Sequence, residues 1–74
     1  MAVIKVEAPI ASSVWAHSVD VGQRVTRGTA LVILECMKME IPVEAPCAGE
    51  VTWLRAKGDT VDVGDVVATV DDGK

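Results

Sequence analysis

The chain has 74 residues and carries 7 basic against 11 acidic side chains, a net charge of −4. A chain of this length buries only roughly 60% of its unfolded surface, which disfavours a large internal active site. Its longest apolar run, Ala30–Leu34, is far below the roughly 20 residues of a transmembrane helix, and its basic residues do not cluster as nucleic-acid binding requires. We therefore expect one soluble domain over residues 1–74, with neither a membrane nor a nucleic acid as partner.

The N-terminal segment predicts the compartment. Met1–Glu7 reaches an acidic residue before any long apolar stretch, so no secretory signal is expected and a cytoplasmic location follows. Cys36 and Cys47 form no CxxC pair and no zinc ligand set with His17. We expect no bound metal, and a reducing compartment favours two free thiols over a disulfide, which the spacing alone leaves open.

Residue composition predicts strands. The 14 valines, 4 isoleucines and 5 threonines together favour a pleated, half-buried surface over a helix. Six glycines and three prolines divide the chain into short segments, and no window keeps apolar residues at helical spacing for three turns. The sequence therefore predicts an all-β domain.

In chain order, the predicted elements are a strand, an Ala-Pro turn, a strand, a glycine turn, a very short strand, a second glycine turn and a closing strand. The same series then repeats, with Val6–Pro9 recurring as Val43–Pro46 at an offset of 37. The later landmarks recur at an offset of 36: Gly22, Val25 and Gly28 correspond to Gly58, Val61 and Gly64. The second copy is therefore one residue shorter between Gly49 and Gly58.

Two copies predict about eight strands in two four-stranded antiparallel sheets, packed face to face as a flattened barrel or sandwich with an internal pseudo-twofold axis. Alternation predicts which side chains face the core. The inward set is Val32, Leu34, Ala68 and Val70, and the matching acids Glu35 and Asp71 are expected in solvent.

Three further positions carry structural expectations. Pro42 lacks an N–H and is predicted either at a strand edge or with its nitrogen pointing outward. Trp15 and Trp53 fall near matching positions of the two copies, where packing is expected with the indole N–H near water. Ser12 stands where the second copy has Gly49, which questions whether this turn uses a positive φ.

The junction between the copies breaks the repeat. The runs Ala30–Cys36 and Met39–Ala45 are both strand-like, which leaves Met37 and Lys38 as the tip of a tight hairpin. Such turns favour Asn-Gly or Asp-Gly because their central residues often take positive φ. Met-Lys contradicts this preference. An unfavourable residue at a turn indicates function, unless the turn is longer or has a different shape. Lys74 aligns with Lys38, but no strand follows it in the sequence.

The segment Glu35-Cys36-Met37-Lys38-Met39 resembles the Glu-Ala-Met-Lys-Met signature of biotin carboxyl carrier domains, in the biotinyl/lipoyl-attachment family. The resemblance covers essentially the whole chain, including the Ala-Pro and Val-Gly turns of both copies. Cys36 departs from the Ala or Ser more common in the family, and residues 17–22 leave no room for the inserted thumb of some carrier domains.

The resemblance implies a noncatalytic carrier. Lys38 would be joined to biotin through an amide by a biotin protein ligase. The biotin would then carry CO2 as carboxybiotin between biotin carboxylase and carboxyltransferase sites. The implied recognition and turn residues are Glu35, Cys36, Met37, Met39 and Glu40, with no catalytic residue in the chain.

Two other functions remain open at this point. A lipoyl carrier has the same fold and a hairpin lysine but typically Asp-Lys-Ala at the turn, which Met37 and Met39 disfavour. A structural or docking domain with an unmodified lysine is the other. An independent enzyme is disfavoured because His17 has no recognisable nucleophile or acid partner.

Overall fold

A computed structural model of the chain describes residues 2–73, and all of its regular structure within that range is β-strand. The eight strands are β1 Val3–Glu7, β2 Ser12–His17, β3 Arg24–Val25, β4 Ala30–Cys36, β5 Met39–Glu44, β6 Gly49–Leu54, β7 Thr60–Val61 and β8 Val66–Asp71. The predicted all-β fold is confirmed. The missing residue of the second copy lies between β6 and β7, where residues 55–59 replace the longer connection 18–23.

Two four-stranded antiparallel sheets have the strand orders β1-β8-β6-β3 and β5-β4-β2-β7. Exchanging each strand of the first copy for its counterpart in the second converts one order into the other, so the predicted pseudo-twofold repeat is confirmed. Each sheet takes two strands from each copy. The copies are thus interleaved, and neither copy forms a sheet of its own.

Backbone hydrogen bonds in the turns explain the interleaving. The Ala8 N–H donates to the carbonyl of Asp65 at 2.8 Å, and its counterpart, the Ala45 N–H, donates to the carbonyl of Thr29 at 2.8 Å. Each bond ties the Ala-Pro turn of one copy to the second glycine turn of the other. Backbone N–H groups that leave water need hydrogen-bond partners, and here each copy supplies a carbonyl group to the Ala-Pro turn of the other.

The core confirms the alternation and adds to it. Val32, Leu34, Ala68 and Val70 are fully buried, as predicted. Leu31 and Val67 are also fully buried, although they alternate with that set. Each is the residue skipped where the strand register shifts, Leu31 between β4 and β5 and Val67 between β1 and β8. A register irregularity of this kind lets neighbouring residues both reach the core.

The sheet edges and outer faces hold the other predicted positions. Pro42 lies in β5, an edge strand, as expected. Trp15 and Trp53 are 48% and 42% exposed, in β2 and β6. Both tryptophans lie outside the buried core, so only part of each ring is packed and the expected access to water is present.

Gly49 is required by close packing and not by its φ. Neither Gly49 nor Ser12 has a positive φ. A Cβ built on Gly49 would collide with the carbonyl oxygen of Asp71 and lie 2.9 Å from Cγ1 of Val70. Both neighbours belong to β8, the inner strand beside β6, so they have little freedom to move away.

We expect Gly49→Ala to lower the free energy of unfolding by about 2 kcal/mol, because a methyl group forced into a packed sheet displaces backbone. Urea denaturation followed by circular dichroism measures this effect. The control is Ser12→Ala at the matching position, which already accommodates a Cβ and loses only an exposed hydrogen bond to the Ile10 carbonyl. Equal losses for the two variants would contradict the assignment of Gly49 to a steric role.

Candidate functional site

The junction of the two copies folds as the predicted two-residue hairpin. Strands β4 and β5 pair up to Cys36 opposite Met39, which leaves Met37 and Lys38 as the turn. One step below the turn, Glu35 lies opposite Glu40. Paired strands on both sides hold the lysine backbone in one position.

The turn has the backbone conformation that its residues disfavour. Met37 has φ 50° and Lys38 has φ 67°, and within residues 2–73 these are the only non-glycine residues with positive φ. Two consecutive positive values are typical of the type I′ turn, whose twist matches that of the flanking strands. For an L-residue the left-handed conformation costs roughly 1–2 kcal/mol. The paired strands maintain the strain, and strain of this kind is concentrated at functional sites.

We expect Met37→Asn to raise the free energy of unfolding by about 1 kcal/mol, because asparagine tolerates the left-handed conformation much better than methionine. The control is Met39→Asn, which makes the same chemical change where φ is not positive. Urea denaturation of both variants provides the comparison. If neither variant is more stable than wild type, the turn stores no strain at Met37.

The side chains of the turn project into solvent. Met37 is 90% exposed and Met39 is 66% exposed, while Lys38 is exposed between them. Within the described residues, the Lys38 ammonium makes no ion pair and no side-chain hydrogen bond. Its amine is therefore available to a reagent or enzyme that approaches the tip.

The remaining predicted turn residues surround this amine. Glu35 and Glu40 are both exposed and face each other across the hairpin, an arrangement that is locally unfavourable for like charges. Neither makes an ion pair within residues 2–73. Cys36 is half-buried at the end of β4, and it and Cys47 are free thiols. The tip therefore combines one available amine, two exposed thioethers and two unpaired carboxylates.

Other candidate chemistry is not gathered into a site. The His17 ring is 2.6 Å from the carbonyl oxygen of Arg55 through Nε2, and within residues 2–73 no hydrogen bond or ion pair joins it to a nucleophile or a carboxylate. Among residues 2–73 no cluster of three metal-ligating side chains and no pocket is present. That range also has no helix with the length and hydropathy for a bilayer span. Lys74, the counterpart of Lys38, lies outside the described residues.

Two exposed apolar residues at the hairpin end of the molecule, Ile10 and Val63, were not singled out from the sequence. Ile10 is 40% exposed and Val63 is 68% exposed. The repeat could have indicated these two positions, because Ile10 corresponds to Cys47 in the second copy and Val63 corresponds to Arg27 in the first. In a position-by-position comparison of the copies, the large exposed apolar side chains at these positions are replaced by a small, half-buried cysteine and a charged arginine.

Comparison with known proteins identifies the family. The chain matches the biotin/lipoyl family, described as "Biotin-requiring enzyme", over residues 4–70, which include the entire hairpin. The chain belongs to this family. Its predicted resemblance to biotinyl/lipoyl-attachment domains is thereby confirmed.

Two small relatives match over most of their own length. A protein of Mycobacterium leprae named "Biotinylated protein TB7.3 homolog" is 42% identical, over 88% of this chain and 93% of the relative. The "Biotin/lipoyl attachment protein" of Bacillus subtilis is 40% identical, over 84% of this chain and 86% of the relative. A chain of this size therefore occurs in the family as a nearly complete protein.

Large relatives contain the same unit as a small part. The urea carboxylase of Kluyveromyces lactis superimposes with a TM-score of 0.90 and 29% identity, over 96% of this chain but 6% of the carboxylase. The alpha subunit of methylcrotonoyl-CoA carboxylase from Oryza sativa is 41% identical, over 90% of this chain and 9% of the relative. The urea carboxylase confirms the two-sheet fold, and both relatives contain the matching unit as a small part of a longer chain.

Proposed function

We propose that this chain is a biotin carboxyl carrier whose cofactor is attached to Lys38 through an amide bond. The observation that carries the proposal is the exposed, unpaired Lys38 amine at a strained two-residue turn between paired strands. A primary amine in this position fits the requirements of a covalent attachment point. The biotin-named relative and the carboxylase relatives support biotin as the attached group.

The chain itself presents the Lys38 amine to the enzymes that act on it. A biotin protein ligase supplies biotin with an activated carboxyl group. The lysine amine attacks this carboxyl carbon, the bond to the activating group breaks, and the ligase removes the proton that the amine loses. Bound biotin supplies a ureido nitrogen that accepts and releases CO2. The hairpin holds the Lys38 backbone fixed while the long side chain stays mobile, so the cofactor remains at high effective concentration near the partner enzymes.

The partners follow from this division of labour. A biotin carboxylase and a carboxyltransferase, as subunits or domains, perform the chemistry, and this chain remains noncatalytic. We place the system in the cytoplasm, in keeping with the free thiols of Cys36 and Cys47. Amide formation removes one cation, so the formal net charge changes from −4 to −5.

A lipoyl carrier is the second candidate, because the Bacillus subtilis relative is named for both cofactors. Exposed Met37 and Met39 favour biotin, since the typical lipoyl turn is Asp-Lys-Ala. Both functions use the same amine, so the ligase that modifies Lys38 decides between them.

Intact-mass measurement tests the proposal directly. The full chain is coexpressed with a biotin protein ligase and a lipoate ligase, with both cofactors supplied. We expect a single biotin increment on the chain. A lipoyl increment alone would replace biotin by lipoate in the proposal, and an unmodified chain would favour a structural or docking domain.

A further inference from the structure

Exposed apolar side chains gather at the hairpin end of the molecule. We call these four residues the apolar collar: Ile10, Met37, Met39 and Val63. They are 40%, 90%, 66% and 68% exposed, respectively. Exposed apolar groups gathered in one region mark interaction sites more often than scattered ones do.

The strand register places Val63 at this end. Ser13 of β2 pairs with Thr60 of β7 on one side and with Glu35 of β4 on the other. The end of β7 is therefore level with the base of the hairpin turn. Val63 follows β7 by two residues in the direction in which the turn projects.

The turn that contains Ile10 is joined to the turn that contains Val63. The Ala8 N–H donates to the carbonyl of Asp65 at 2.8 Å, and the Gly64 N–H donates to the carbonyl of Ala8 at 3.0 Å. These bonds hold the two turns together at the same end of the sheets. Three separate connections of the chain thus contribute to one region around Lys38.

The internal repeat supplies a comparison within the molecule. The counterparts of Ile10, Met37, Met39 and Val63 in the repeat are Cys47, Gly73, Ala2 and Arg27. These small or charged residues lie at the opposite end, where the Asp72 N–H donates to the Ala2 carbonyl at 3.0 Å. Val3 is exposed at that end, but none of these four positions carries a large apolar side chain there, so the fold does not require one at them.

Acidic side chains lie beside the collar. Glu35, Glu40 and Asp62 are exposed, and none of them makes an ion pair within residues 2–73. A protein surface that approaches Lys38 therefore meets exposed apolar groups next to unpaired carboxylates. Complementary charge favours basic side chains on the approaching surface.

We propose that the apolar collar is the docking surface for the enzyme that modifies Lys38, and that this enzyme presents an apolar surface bordered by basic residues. The proposal rests on the proposed function, because that enzyme must bring its active site to the collar when it reaches the lysine. Ile10 and Val63 contribute to affinity through burial on docking, although they lie outside the hairpin.

Ligase kinetics on the full chain test the proposal. A purified biotin protein ligase is assayed with wild type, with Ile10→Ser/Val63→Ser, and with Val3→Ser as the matched control. Val3 is 54% exposed at the opposite end of the molecule. We expect the double variant to raise KM for the chain about tenfold with little change in kcat, and Val3→Ser to leave both unchanged. Thermal unfolding of each variant verifies the fold.

The outcomes separate this inference from the proposed function. If ligase labels wild type but the folded double variant has KM within about twofold of wild type, the collar does not dock the ligase and the carrier function stands. A fall confined to kcat also overturns docking. If wild type takes up no biotin, the proposed function fails. Raised salt should increase the wild-type KM, and less so for Glu40→Gln/Asp62→Asn, because screening weakens the charge complementarity.

Discussion

Lys38→Arg should abolish biotin attachment completely. Arginine preserves the positive charge and most of the length of the side chain, but its guanidinium stays protonated and offers no primary amine for amide formation. The backbone of the turn still provides the same presentation. Coexpression with a biotin protein ligase, followed by a streptavidin blot and intact mass, measures the effect.

Two other lysines, Lys57 and Lys74, serve as controls. Lys57 precedes Gly58 in the connection between β6 and β7, so Lys57→Arg changes a lysine next to a turn that lies outside the hairpin. Lys74→Arg changes the repeat counterpart of Lys38. Both variants should keep the full streptavidin signal. A signal that persists in Lys38→Arg, or disappears in Lys57→Arg, would move the attachment point away from the hairpin.

Leu34→Ala should destabilise the domain by about 3 kcal/mol, because it leaves a cavity in a close-packed core. Leu34 is fully buried in β4, where it pairs with Val14 of β2 and Ile41 of β5. A domain of this length has a free energy of unfolding of only about 4–11 kcal/mol, so this loss is a large fraction of the total. Urea denaturation at constant m value gives the difference.

The control for this variant removes apolar atoms from the surface. Val21 is 60% exposed, and Val21→Ala should change the free energy of unfolding by less than about 0.5 kcal/mol. If Leu34→Ala costs no more than Val21→Ala, the centre of β4 does not belong to the packed core. The same two variants are references for a biotin-labelling assay. Leu34→Ala keeps Lys38 but destabilises the fold, and Val21→Ala changes neither, so their difference gives the effect of destabilisation alone.

The sequence predicted the hairpin because local signals define it. Two strand-like runs leave only Met37 and Lys38 between them, which predicts a two-residue turn. The structure then shows that both residues have positive φ, as such turns often require. The order of the elements followed from the repeat, and so did the place of the shorter connection in the second copy. Local spacing and internal comparison were sufficient for these features.

Other features depend on contacts between distant parts of the chain. The repeat does not specify which strands become neighbours, so the interleaving of the copies required the structure. Alternation misses Leu31 and Val67 because register shifts interrupt it. Gly49 has a purely steric role against Asp71, which no local pattern reports. The collar was missed because Ile10 and Val63 come from separate connections.

The interleaved sheets determine how the lysine tip is lost. Since each sheet draws strands from both copies, unravelling either half of the chain removes strands from both layers at once. The domain should therefore open in a single all-or-none step, without a partly folded species that still displays a well-formed tip. An enzyme that approaches the chain therefore meets either the fully folded domain or an unfolded chain. Modification of Lys38 would then occur only on molecules that have folded.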